Sequence, residues 1–91
     1  MESLIISLDD ESWEARAQIA KALGALGDEQ AVDKLKRALS DENWWVRHNA
    51  ADALYRLGEE GIEALHETSH SGKEKPRATA AQVLAERALG V

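Results

Sequence analysis

The chain lacks cysteine and phenylalanine, contains one proline, and has only 4% aromatic residues. Without cysteine it can form no disulfide bond, thiolate metal site or cysteine nucleophile. No apolar run approaches the length of a membrane span, and no basic segment precedes an apolar one near the N-terminus. We therefore expect no membrane contact by this segment, no targeting signal and a cytoplasmic location.

Basic residues are also in short supply, since eleven Lys and Arg face seventeen Asp and Glu, for a net charge of −6. Nucleic acid needs a basic footprint, and an anionic membrane surface needs the same. The charge therefore points to a protein or peptide partner. At 91 residues the chain is one small domain, and its many Ala and Leu residues favour packed helices over a sheet.

The sequence repeats itself with a period near thirty residues. The segment from Asp10 matches the segment from Asp41 at a step of 31 residues. The matched pairs include Trp13–Trp44, Arg16–Arg47, Ala20–Ala51, Leu23–Leu54 and Gly27–Gly58. Past Gly58 the step falls to 30, because the turn is one residue shorter, and this step carries Arg47 to Arg77. A period of this length is typical of a solenoid.

Each period predicts a pair of helices. In the second repeat the apolar stripe of the first helix comprises Val46, Ala50, Ala53, Leu54 and Leu57. Gly27 and Gly58 are expected to end the first helices in the left-handed conformation, and Asp28 to cap the second helix. Pro76 fits the start of a third first-helix. The prediction is about six helices, with a lone one near 2–8 and the last near 74–89.

The pattern D-x-x-W-x-V-R-x-x-A-A-x-A-L-x-x-L-G-x-x-x-A-V-x-x-L resembles the HEAT-like repeat of the phycobilin-lyase type. The resemblance implies an all-α, right-handed α-solenoid with an Asp–Arg ladder between successive repeats. The ladder residues would be Asp10, Arg16, Asp41, Arg47 and Arg77. Because Ser71 replaces the Asp of the third repeat, the ladder should weaken there. The repeats would divide one domain into a partial repeat (1–9), repeat one (10–40), repeat two (41–71) and a terminal half repeat (72–91).

Comparison between repeats separates recurring residues from unique ones. Trp44 recurs as Trp13, so both are predicted to pack between adjacent repeats. Ala20, Ala51 and Ala81 recur where neighbouring helices are expected to approach closely. A large side chain that occurs in a single repeat is not explained by the repeat architecture.

Trp45 is such a unique side chain, since Glu14 and Lys75 stand at the equivalent positions. One flank of the same helix would carry Trp44, His48 and Tyr55, and the next Trp45, Asn49, Asp52 and Arg56. Trp and Tyr are enriched at interface hot spots. The partner-binding candidates on this helix are Trp45, His48, Asn49 and Tyr55. The open alternative is that Trp45 lies over a neighbour such as Arg56 and binds nothing.

The second helices of this repeat family line the inner face of the solenoid. Their outward residues would be Asp33, Lys34, Arg37, Glu63, His66 and Glu67. These residues predict a mixed-charge groove for a peptide or helix, with Lys34, Arg37, Glu63 and His66 as further partner-binding candidates.

A second resemblance concerns an enzyme. VRHNAADAL resembles the VRHEAAEAL segments of deoxyhypusine hydroxylase, whose His-Glu pairs hold a two-iron centre. His48 matches the His, but Asn49 stands where the Glu should be, and a metal pair needs several converging ligands. His66 and His70 share a helix face, yet they lie at a polar helix end where His is commonly solvated. We expect no catalytic, metal or cofactor-binding residue.

The predicted function is a non-catalytic protein–protein interaction scaffold or adaptor, as part of a larger repeat protein. The alternative is an accessory subunit of a cofactor-modifying, bilin lyase-like enzyme, and a remote one is a metal-dependent hydroxylase-like protein. At the N-terminus Leu4, Ile5 and Leu8 lack an expected covering helix. They predict self-association or a chain that continues upstream.

Overall fold

The computed structural model describes residues 12–28 and 30–88, which form five α-helices joined by short turns. The helices are α1 (Trp13–Leu26), α2 (Ala31–Ala38), α3 (Trp44–Arg56), α4 (Glu59–Ser69) and α5 (Glu74–Ala88). Helices α1 and α2 form the first pair, α3 and α4 the second, and α5 opens the third. This arrangement confirms the predicted all-α solenoid. The helix predicted near 2–8, with Leu4, Ile5, Leu8 and the ladder residue Asp10, lies outside the described residues.

The helices pack in two layers. The first layer contains α1, α3 and α5, the second contains α2 and α4, and α3 contacts each of the other four. The predicted stripe of α3 faces this core: Val46, Ala50, Ala53 and Leu54 are buried, and Leu57 packs against them. Each buried leucine contributes about 1.5–3 kcal/mol relative to an exposed one, so the two layers depend on each other.

A side-chain cap explains where α3 begins. The Asn43 side chain precedes α3, and its Oδ1 accepts hydrogen bonds from the backbone N–H groups of Trp45 at 2.8 Å and Val46 at 3.3 Å. The predicted cap of α2 was wrong. Asp28 Oδ1 accepts from the backbone N–H of Gln30 at 2.9 Å, which forms a turn before the helix, and Gln30 itself is the N-cap residue.

Two glycines end the first helices, and they do so differently. Gly27 has φ 69° and ψ 21°, the predicted left-handed conformation, whereas Gly58 has φ 91° and ψ −148°. The prediction for Gly58 was therefore wrong. Its conformation is open essentially to glycine alone. The physical reason is the shorter second turn: α4 begins directly after Gly58, whereas three residues separate Gly27 from α2.

The recurring small residues have unequal environments. Ala20 and Ala51 are fully buried, as expected for the close approach of neighbouring first-layer helices. Ala81 on α5 is exposed, so its predicted close approach is absent. No helix within residues 12–28 and 30–88 covers that face of α5.

Candidate protein-binding surfaces

One ion pair links the first repeat to the second. Arg16 of α1 donates from Nε to Asp41 Oδ2 at 2.7 Å and from Nη2 to Asp41 Oδ1 at 3.0 Å. Asp41 Oδ1 also accepts from the backbone N–H of Asn43 at 2.9 Å. Two parallel bonds of this kind fix direction as well as distance. The pair that the resemblance implies therefore exists as a contact, and it orients the turn that leads into α3.

The charges around Asp41 perturb its titration. Burial acts to raise the pKa of Asp41, but the hydrogen bonds from Arg16 and the Asn43 N–H, with the charges of Arg16 and Arg47, outweigh burial and lower that pKa. The hydrogen bond to Asp41 in turn raises the pKa of the Arg16 guanidinium.

We expect acid to weaken the fold through Asp41. Its folded-state pKa lies below the unfolded value of about 3.9, so its contribution is fully present above that pH and is lost as the pH falls through the folded pKa. Urea unfolding at a series of pH values from neutral to acidic should show the free energy of unfolding falling. In Asp41→Asn this fall should be smaller. The exposed Asp33→Asn is the control and should retain the wild-type profile. Identical profiles for wild type and Asp41→Asn would contradict the assignment.

Arg47 forms the equivalent link between the second and third repeats without a carboxylate. It is 9% exposed. Its Nη1 donates to the backbone oxygens of Asp41 at 2.8 Å and Glu42 at 2.9 Å, and its Nε donates to Thr79 Oγ1 at 3.3 Å. Because Ser71 offers no carboxylate, neutral hydrogen bonds hold this Arg. Among the described residues Arg77 reaches only the Ser71 backbone oxygen, at 3.5 Å.

Two tryptophans form an exposed ridge at the start of α3. The Trp44 ring stacks on His48 with centroids 4.8 Å apart, and it meets Trp45 edge to face at 4.9 Å. Trp44 is 41% exposed, Trp45 54% and Trp13 40%. Trp13 and Trp44, which were predicted to pack between adjacent repeats, are therefore only partly buried. The described ring contacts of Trp44 lie within α3, because its flank of the helix points away from the core stripe.

His48 and Tyr55, two other predicted candidates, face α5. His48 Nε2 lies 3.7 Å from Glu86 Oε1, and the Arg87 guanidinium lies over the Tyr55 ring, 5.3 Å from its centroid. Arg87 also pairs with Asp52 of α3. These contacts join α3 to α5. His48 and Tyr55 therefore face α5, whereas Trp45 faces α1 on the other side of α3.

A groove runs between α1 and α3, which we call the first-layer groove. It is lined by Gln18, Lys21, Trp45, Asn49, Asp52, Ala53 and Arg56, and encloses about 360 Å³. Asn49 crosses it, since its Nδ2 donates to the Ala17 backbone oxygen at 3.0 Å. The structure thus brings the predicted Trp45 flank against Gln18 and Lys21. Sequence reasoning missed these two residues, whose only signal was their position one repeat before Asn49 and Asp52.

A second groove, the second-layer groove, runs between α2 and α4. It is lined by Val32, Asp33, Lys36, Glu60, Glu63, Ala64 and Glu67, and encloses about 300 Å³. Lys36 Nζ lies 3.7 Å from Glu67 Oε1. Three predicted groove residues line it, namely Asp33, Glu63 and Glu67.

The groove is more acidic than the predicted lining, because neither Lys34 nor Arg37 lines it. Lys36, one turn beyond Asp33, provides its single cation. His66 lines an adjoining depression with Glu59, Glu60, Ile62 and Glu63. The linings of the groove and of this depression are therefore predominantly acidic.

Within residues 12–28 and 30–88, side chains of His, Asp and Glu nowhere gather in groups of three or more that could bind a metal ion. The helices of the same ranges are all too short or too polar to cross a bilayer.

Antiparallel helix pairs stacked in two layers, with an Arg at the same position of each first helix, define an α-solenoid repeat protein. The family model described as HEAT repeats matches residues 1–86. The chain therefore belongs to the HEAT repeat family. The match supports HEAT-like repeats in general and not the phycobilin-lyase type in particular. No curated protein matches the chain. HEAT repeats generally mediate protein–protein interaction and are typically non-catalytic.

Proposed function

We propose that the chain is a non-catalytic protein-binding module of a larger repeat protein, and that its second-layer groove binds a basic segment of the partner. The observation that carries this proposal is the lining of the groove. Four carboxylates, those of Asp33, Glu60, Glu63 and Glu67, face a single ammonium group, that of Lys36.

Most of this negative charge is uncompensated. Among the described residues Lys36 pairs only with Glu67, and Asp33, Glu60 and Glu63 form no ion pair. Lys or Arg side chains from a partner would supply the missing charge, while their methylene stems pack against Val32 and Ala64 on the groove wall. Complementary charge of this kind raises the association rate and selects the partner. A helix or extended peptide rich in Lys and Arg therefore fits the groove.

The test is a double charge reversal, Asp33→Lys with Glu63→Lys. With a fluorescent peptide pool whose only charged residues are Lys and Arg, fluorescence anisotropy should show at least about a tenfold loss of affinity, equivalent to about 1.4 kcal/mol. Binding to the wild type should also weaken as salt rises.

The matched control is Glu14→Lys with Glu42→Lys, two exposed residues outside the groove. This variant has the same net charge as the test variant and should bind nearly as the wild type does. Equal losses in both would mean that the peptides sense net charge alone. Undiminished binding by the groove variant would refute the groove.

A further inference from the structure

We propose that the first-layer groove is a second docking site, for an acidic peptide segment whose apolar side chain packs on Trp45. This site is separate from the second-layer groove and prefers the opposite charge. Three features of the first-layer groove support the proposal: its charge, its aromatic surface and its amide groups.

The charge of the first-layer groove is positive, although the chain as a whole carries −6. Lys21 on the α1 wall forms no ion pair with another described residue. Arg56 on the α3 wall has its Nε 3.5 Å from Asp52 Oδ2, and the same carboxylate pairs with Arg87. One carboxylate is thus shared by two guanidinium groups. The groove can therefore accept further carboxylates from a partner.

Trp45 supplies an apolar surface with a fixed orientation. Trp45 is 54% exposed. The cap from Asn43 sets the first turn of α3, and the edge contact with Trp44 holds the ring from behind. Covering an exposed, oriented indole costs little side-chain entropy, which is why tryptophan is frequent among hot spots. An apolar partner side chain would bury the ring beside Ala53 on the groove wall.

Two amides provide groups for a peptide backbone. Asn49 donates from Nδ2 to the Ala17 backbone oxygen, which leaves its Oδ1 as an acceptor. Gln18 is exposed and makes no hydrogen bond to another described residue. Cations, an aromatic surface and amides together match the groups of an extended acidic peptide.

The other repeats argue against an architectural role for these side chains. At the equivalent positions Trp45 is replaced by Glu14 and Lys75, and Lys21 by Asp52 and Gln82. At the equivalent positions of the α3–α5 contact, Lys75 and Asp52 therefore stand in place of the indole and the basic opposite wall.

A single-stranded nucleic acid would also offer anionic groups and stacking bases. Such ligands require a basic groove that follows the backbone over several nucleotides. This groove has two cations on its walls and also contains Asp52, and the chain carries a net charge of −6. These features favour a peptide.

The test uses three probes on the intact chain. Two are pools of short peptides with one fixed leucine, whose only charged residues are Asp and Glu in one pool and Lys and Arg in the other, and the third is oligothymidine. The readout is the indole N–H signal of Trp45 in nitrogen-correlated NMR spectra, assigned with Trp45→Leu. The acidic pool should move this signal and leave that of Trp13 in place.

Affinity for the acidic pool should fall about tenfold or more in Lys21→Gln with Arg56→Gln, and similarly in Trp45→Ala. The matched control Lys73→Gln with Lys75→Gln removes the same charge from exposed positions and should bind within about twofold of wild type. Circular dichroism of each variant verifies that it is folded.

The site is refuted if the acidic pool leaves the Trp45 signal unmoved, if the matched control loses as much affinity, or if the basic pool or oligothymidine moves the signal equally. A negative result for the first-layer groove can be distinguished from a negative result for the second-layer groove. The variant Asp33→Lys with Glu63→Lys should retain binding of the acidic pool while it loses the basic one.

Discussion

Replacing Gly61 with alanine should lower the free energy of unfolding by about 3 kcal/mol or more. A Cβ at this position would lie 1.7 Å from the backbone oxygen of Leu54 and 2.6 Å from its carbonyl carbon. Both atoms belong to the backbone of α3, so no side-chain rotation can relieve the overlap. Helix α4 would have to move away from α3 and loosen the packing around the fully buried Leu54 and Leu65.

Urea unfolding monitored by circular dichroism measures this effect. Gly72→Ala is the matched control, because an added Cβ there meets no atom within 4 Å. It should leave stability unchanged or raise it by up to about 1 kcal/mol. A Gly61→Ala protein as stable as the wild type would mean that α3 and α4 can separate at little cost. Because α4 carries Glu60, Glu63 and Glu67, its displacement should also weaken binding of the basic peptide pool.

Arg47→Met should cost about 3 kcal/mol of unfolding free energy. Methionine retains much of the apolar stem, but it removes the donors that satisfy the backbone oxygens of Asp41 and Glu42 and the hydroxyl of Thr79. It also removes a positive charge that lowers the pKa of Asp41. Denaturant unfolding at neutral pH is the measurement.

Arg77→Met is the control for this change, since Arg77 is the equivalent residue one repeat later and is exposed. It should change stability by no more than about 0.5 kcal/mol. If both variants lost a similar amount of unfolding free energy, the contacts of Arg47 would not explain its contribution to stability. Arg47→Lys should be nearly as unstable as Arg47→Met, because a single ammonium cannot reproduce the planar arrangement of donors.

Recurrence between repeats proved to be a guide to equivalent positions but not to burial. Trp13 and Trp44 recur, and the structure leaves them equally exposed, at 40% and 41%. Arg16, Arg47 and Arg77 also recur, yet each has different partners among the described residues: a carboxylate, two backbone oxygens with a hydroxyl, and one distant backbone oxygen. Asp41 for Arg16 and Thr79 for Arg47 come from the next repeat, so these partners cannot be read from the recurring residue itself.

The period, the helix pairs and the buried stripe of α3 could be predicted from the sequence, because they follow from helical periodicity and from burial of apolar residues, which act within one helix. The groove linings could not. They depend on how each helix is rotated against its neighbour, and that rotation makes Lys36, not Lys34 or Arg37, face α4. The same holds for Gln18 and Lys21, which join Trp45 only across the α1–α3 contact.

The turn after α3 shows most clearly which features the sequence determines and which depend on the packing of the helices. That it is one residue shorter than the turn after α1 is visible in the sequence, where the step between repeats falls from 31 to 30. The consequences are not visible there. The shorter turn accompanies the glycine-only conformation at Gly58 and brings Gly61 against the Leu54 backbone, whereas the equivalent Ala31 is accommodated and buried. Local patterns determined which helices form, and only their close packing in three dimensions decided where a single methyl group no longer fits.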